Sequence, residues 1–120
     1  MSDAASVGKE LIEAFNAGDV DALASMMGPD YRYVDRYAGG TVDAGGHLAV
    51  IADVHTRMPD RAISITRIID AAGAQVIEGV WSGTPAGGPT RRTNLVSVRD
   101  VEEGRVAGGR AYYREADLLA

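Results

Sequence analysis

Residues 15–35 read FNAGDVDALASMMGPDYRYVD, from Phe15 to Asp35. The stretch parses as the end of one helix, a sharp turn, a second helix, a second turn and a strand. Upstream, Val7, Leu11, Ile12 and Phe15 recur at helical spacing, so the first helix is expected from about Ala4 to Ala17. Gly18 suits its left-handed C-terminal cap, and Asp19 is a good N-cap for a short helix carrying Val20, Leu23 and Met27. Gly28-Pro29-Asp30 is expected to end that helix. Tyr31 to Asp35 then reads as a strand, with Tyr31, Tyr33 and Asp35 on one face. A carboxylate held against apolar and aromatic groups has a raised pKa and is a candidate general base. Asp35 is that candidate. Its plainer reading is an exposed strand-end aspartate paired with Arg36 or Arg32.

Downstream the pattern changes. Tyr37 to Gly46 reads as a glycine-rich loop. A third helix is expected over His47 to Arg57, with Leu48, Ile51 and Val54 or His55 on one side and Pro59 just beyond its end. Ala62–Ile69, Gln75–Ser82, Arg91–Arg99 and Arg105–Tyr113 are rich in branched and aromatic residues and read as strands. The short breaks between them favour antiparallel hairpins. Glu115 to Leu119 reads as a last turn of helix. Helices first and strands last argue for an α+β fold, with helices on one face of a curved antiparallel sheet around a cavity.

Bulk properties narrow the function. With 120 residues and neither repeat nor linker, the chain is expected to form a single domain over 1–120. The net charge of −5 and the lack of any basic run argue against nucleic acid or an anionic membrane surface as partner. Cysteine is absent, which removes disulfides, a thiolate nucleophile and thiolate metal sites. No segment has the apolar length of a signal peptide or a bilayer span, so a cytoplasmic location is expected. His47 and His55 are eight residues apart on one helix, about 12 Å along its axis. That is too far for one metal ion, and no metal is expected. Neither a P-loop nor a dinucleotide fingerprint occurs, and no cofactor is expected.

Three phrases carry a family resemblance: the opening FNAGDVDALASMMGPDYRYVD, the later GVWSGTPAGG, and the ending LVSVRDVEEGRVAGGRAYYREADLLA. Together they resemble the SnoaL-like branch of the nuclear-transport-factor-2-like superfamily. The resemblance implies a cone of three helices on a curved antiparallel sheet, usually a homodimer through the sheet. Polyketide cyclases, ketosteroid isomerases, epoxide hydrolases, dehydratases and non-catalytic binding domains share this cone, so fold alone does not decide activity. Asp35 stands where the isomerase has its general base. Asn94 stands where a hydrogen-bond donor holds the enolate, a task an amide can perform. Leu11 replaces the isomerase's helix-one tyrosine. Ala111 and Arg114 stand near the last-strand position where cyclases carry an acid. No Asp-Arg-Asp set of the hydrolase kind can be placed.

The sequence therefore leads to a cofactor-independent enzyme acting on a small apolar cyclic or polyketide-like molecule by proton abstraction next to a carbonyl. Asp35 would take the proton, while Asn94 and a tyrosine would hold the oxyanion. Tyr31, Tyr33, His55, Trp81, Arg92, Tyr112 and Tyr113 are the candidate substrate-binding residues, with Tyr112 and Tyr113 on opposite faces of their strand. The rival reading is a small-molecule-binding or accessory domain without chemistry, and a third is a dimerisation domain with a filled cone.

Overall fold

The computed structural model describes the backbone of residues 4–35 and 40–114, and the side chains of 7–34 and 40–114. Two helices, α1 (Ala4–Ala17) and α2 (Val20–Met26), lead into β1 (Met27–Asp35) and the short β2 (Gly40–Val42). Then follow α3 (Ala44–Arg57), β3 (Ala62–Ala71), β4 (Ala74–Gly83), β5 (Arg91–Glu102) and β6 (Arg105–Tyr112). The strands form one curved sheet in the order β2-β1-β6-β5-β4-β3. All three helices lie against it: α1 on β3 and β4, α3 on β1 and β2, and α2 between α1 and α3.

The expected α+β architecture with three helices holds. One expectation needs correction: the sheet is not wholly antiparallel, because β1 and β6 pair parallel. That pairing closes the first long strand onto the last. Its register slips between Met27 and Arg32, where Pro29 has no N–H to offer a ladder. The same slip explains why β1 begins at Met27. Gly28-Pro29-Asp30 was expected to be a turn, but it forms the irregular start of the strand. The loop expected over Tyr37 to Gly46 contains β2 and the first turn of α3; its residues 37–39 lie outside the described residues, as does the tail from Glu115 to Leu119.

A few contacts fix the helices to the sheet. The amide of Asn16 behaves like one more strand residue beside β3. Its Nδ2 donates to the Ile63 carbonyl at 2.9 Å and its Oδ1 accepts from the Ile63 N–H at 2.8 Å. Arg61 is fully buried, donates to the Phe15 carbonyl near the end of α1 and lies 4.7 Å over the Phe15 ring. A cation at a helix C-terminus meets the negative end of the helix dipole; burial lowers the Arg61 pKa from its ordinary value. The phrase GVWSGTPAGG has a structural explanation as well. Thr84 donates both its N–H and its hydroxyl to the Asp60 carboxylate, at 2.9 and 2.7 Å, tying the β4–β5 loop to the α3–β3 turn.

Candidate active site

Between the helices and the inner face of the sheet lies a cavity of about 80 Å³. That is room for roughly five to eight water-sized groups, or one ring with a short substituent. Its walls are mostly apolar. Leu11, Ile12 and Phe15 come from α1, Val50, Ile51 and Val54 from α3, and Ile63, Trp81, Leu95 and Ala111 from the sheet.

Apart from Trp81 and Tyr113, the polar side chains of the wall come from β1, α3 and β5. Tyr31 and Tyr33 alternate inward on β1 and are buried. His47 sits in the first turn of α3, which Asp43 caps by accepting from the Gly46 N–H at 2.8 Å. The Tyr31 hydroxyl and His47 Nδ1 are hydrogen-bonded at 2.6 Å. The imidazole lies nearly parallel to the Tyr33 ring, 3.8 Å between centroids. Arg99, on β5, places its guanidinium 4.9 Å from the centre of the Tyr33 ring. The strand register explains that reach. Gly109 of β6 pairs with both Tyr33 and Arg99, so no side chain stands between them.

Electrostatics fixes the state of this group. Burial, followed by the charge of Arg99, lowers the His47 pKa from 6.5 to about 3. The helix N-terminus acts in the same direction. His47 is therefore a neutral imidazole at any physiological pH, as a hydrogen-bonding electrophile needs to be. The neutral Tyr31–His47 pair carries two exchangeable hydrogens. One spans the 2.6 Å bond; the other stays with the pair, on Tyr31 Oη or His47 Nε2.

The sequence candidates divide clearly. Tyr31, Tyr33, Trp81 and Tyr113 line the cavity. Trp81 is packed edge-on between Phe15 and Tyr113, at 6.3 and 4.9 Å between centroids. Asn94 and Arg92 do share a strand face, as the alternation of β5 requires, but it is the outer one. Thr93, Leu95, Ser97 and Arg99 face inward, while Asn94 is exposed. Asn94 is thus displaced as the oxyanion donor, and Arg92 as a cavity residue. Tyr112 is also on the outer face, where its hydroxyl accepts from Arg110 Nε at 2.7 Å. His55 is half-buried outside the cavity, against the α1–α2 turn. There Gly18 has a φ of +70°, and any Cβ would sit 2.8 Å from the His55 ring. Asp35 ends β1, paired with Gly40; its side chain lies outside the described residues.

His47 and Arg99 were not among the sequence candidates. The signal for His47 was its place four residues before Ile51 and seven before Val54, on the buried stripe of α3. Arg99 was legible only once the inward phase of β5 was known. Among the described residues, no group of three or more histidine and carboxylate side chains converges as a metal site would.

A family model described as a SnoaL-like domain matches residues 9–109. The chain belongs to the SnoaL-like family. No curated protein sequence matches it. Solved structures of the same fold include wild-type IdmH from Streptomyces antibioticus, with 21% identity, a TM-score of 0.89, and 98% of this chain and 96% of that one covered. A SnoaL-like polyketide cyclase from Agrobacterium tumefaciens has 11% identity and a TM-score of 0.83, with 98% and 95% covered. A protein of ketosteroid isomerase-like fold from Catenulispora acidiphila has 19% identity and a TM-score of 0.85, with 94% and 88% covered. At such identities the likeness speaks to the fold, and the chemistry has to be argued from the cavity.

Proposed function

We propose that this SnoaL-like protein is a cofactor-independent enzyme of the cyclase or isomerase type. Its substrate is a small apolar cyclic or polyketide-like molecule that loses a proton next to a carbonyl. The observation that carries this reading is the neutral Tyr31–His47 pair set into a mostly apolar cavity between the helices and the sheet. Such a pair offers a hydrogen to a carbonyl oxygen without itself being an acid strong enough to trap the substrate. The apolar walls hold the ring and exclude water, which strengthens every polar contact inside.

In the proposed step the α C–H bond breaks and its proton passes to Asp35, the base chosen from sequence alternation along β1. The electron pair moves to the carbonyl oxygen, where Tyr31 or His47 donates to the enolate. The enolate then takes the proton back from Asp35, at the γ-carbon where a conjugated double bond makes it a dienolate, or attacks a second carbonyl, whose oxygen takes that proton as the ring closes. Tyr33, Trp81 and Tyr113 supply the aromatic walls. The polyketide cyclase of the same fold from A. tumefaciens makes the reading chemically natural for this cone.

We extend the proposal to a homodimer through the outer sheet face, where Val34, Val96 and Tyr112 are exposed on neighbouring strands. The function is tested by screening aromatic polyketide, steroid-enone and lactone substrates with the wild-type protein, then with Asp35→Asn and Tyr31→Phe. Turnover that falls by about 100-fold or more in each variant is the expected result. Turnover undiminished by Asp35→Asn removes Asp35 as the base.

A further inference from the structure

Arg99 is the sole charged side chain among the described residues that line the cavity, His47 being neutral. It is 8% exposed, and its Nε and Nη1 have no hydrogen-bond partner among the described residues. No ion pair is found for it there either. An arginine is seldom buried without a counter-charge, because two unmet nitrogens, with three N–H groups between them, carry a large desolvation cost on a cation. The protein nevertheless holds this group in place. The Tyr33 ring lies beneath the guanidinium, and Gly109 leaves the lane over which the side chain reaches it.

The other buried arginine shows the contrast. Arg61 also has unmet nitrogens, but it donates to a carbonyl near the C-terminus of α1, and it lies outside the cavity lining. Its charge is answered by the helix. Among the described residues the charge of Arg99 is met by one aromatic face, and its side chain lines the space a ligand would fill.

We infer that the molecule bound in this cavity carries a carboxylate, and that Arg99 receives it. The inference rests on the reading of the cavity as a site for a small cyclic molecule and names the substrate class more closely: a ring acid. The carboxylate accepts charge-assisted hydrogen bonds from the guanidinium. The ring then lies along the apolar wall formed by Leu95, Ile51 and Trp81. The Tyr31–His47 pair is left for a second oxygen of the same molecule, so the arginine orients and the pair activates. A carboxylate arriving at Arg99 also cancels the positive field that helps to keep His47 unprotonated, so ligand binding should be visible at the imidazole.

The test compares benzoate with benzamide, a neutral probe of nearly the same shape, by calorimetry and by the ¹⁵N resonances of His47. Benzoate is expected to bind about 10- to 100-fold tighter than benzamide and to shift both imidazole nitrogens. Arg99→Met is expected to bring benzoate down to the benzamide level, and Arg99→Lys to keep part of the preference. If Arg99→Met does not fold, the wild-type comparison and Arg99→Lys carry the test. Equal binding of the two probes overturns the inference, as does no saturation by benzoate below about 10 mM or a preference that survives loss of the guanidinium. Arg99-dependent benzoate binding in a protein that exchanges no carbon-bound proton would leave the carboxylate site standing and remove the proposed catalysis. Turnover of neutral ketones with no preference for acids would do the reverse.

Discussion

The buried imidazole should make the protein measurably acid-sensitive well above the carboxylate range. His47 keeps a pKa of about 3 in the folded chain, against 6.5 for an exposed histidine, because burial and then Arg99 oppose its charge. Above pH 6.5 neither the folded nor the unfolded form protonates it, and its contribution to stability is complete. As the pH falls, the unfolded chain takes up a proton that the folded chain refuses, and stability declines until the pH nears 3. Each unit in that window costs about 1.4 kcal/mol, so the loss is about 2 kcal/mol at pH 5. His47→Phe keeps an aromatic ring between Tyr31 and Tyr33 but has no proton to gain. It should be less stable at neutral pH by about 1 kcal/mol for the lost Tyr31 bond, and less dependent on pH. Urea unfolding at about pH 8, 6.5 and 5 reads both quantities, with the variant removing the background from other groups. Equal losses in wild type and variant between pH 8 and 5 would refute the reasoning, as would a His47 imidazole that titrates near 6.5 in the folded protein.

Three further outcomes follow from single contacts. Asn16→Ala removes both bonds to Ile63 and should cost about 1–3 kcal/mol by urea unfolding, because it leaves the Ile63 backbone groups without that partner. Gly109→Ala puts a Cβ 2.1 Å from the Val98 carbonyl oxygen, a backbone atom that cannot step aside; a loss of about 2–4 kcal/mol is expected, with reduced ligand binding as Arg99 is pushed from its seat on Tyr33. Val96→Glu places a charge in the exposed apolar patch of the outer sheet face, and light scattering should show a dimer in the wild type and a monomer in the variant.

The elements were legible where one period dominated. α1 spans the residues its apolar stripe predicts, and Gly18 and Asp19 mark the turn between α1 and α2. What the sequence hid was phase and pairing. On β5 the two faces read almost alike, Asn94-Val96-Val98 against Thr93-Leu95-Ser97-Arg99, so alternation by itself did not say which face turned inward. The structure turns in the one that carries the arginine. The parallel β1–β6 pair joins residues about 75 positions apart, and nothing local announces such a partner. The sequence pattern puts His47 at the exposed start of a helix, whereas it is buried in the first turn of α3, which begins three residues earlier at Ala44. Its role depends on Tyr31 and Arg99, each far from it in sequence. The aromatic half of the site was readable because Tyr31 and Tyr33 alternate on an evident strand. The polar half was not, because three distant elements assemble it.

The central claim is that this cavity removes a proton from a carbon next to a carbonyl. It is tested most directly by following deuterium incorporation at the α-carbon of a small cyclic β-keto acid in D₂O by NMR. Exchange well above the buffer rate with wild-type protein, falling by about 100-fold with both Asp35→Asn and Tyr31→Phe, is the predicted result. Exchange at the buffer rate with wild-type protein, or exchange unchanged by both substitutions, would contradict it.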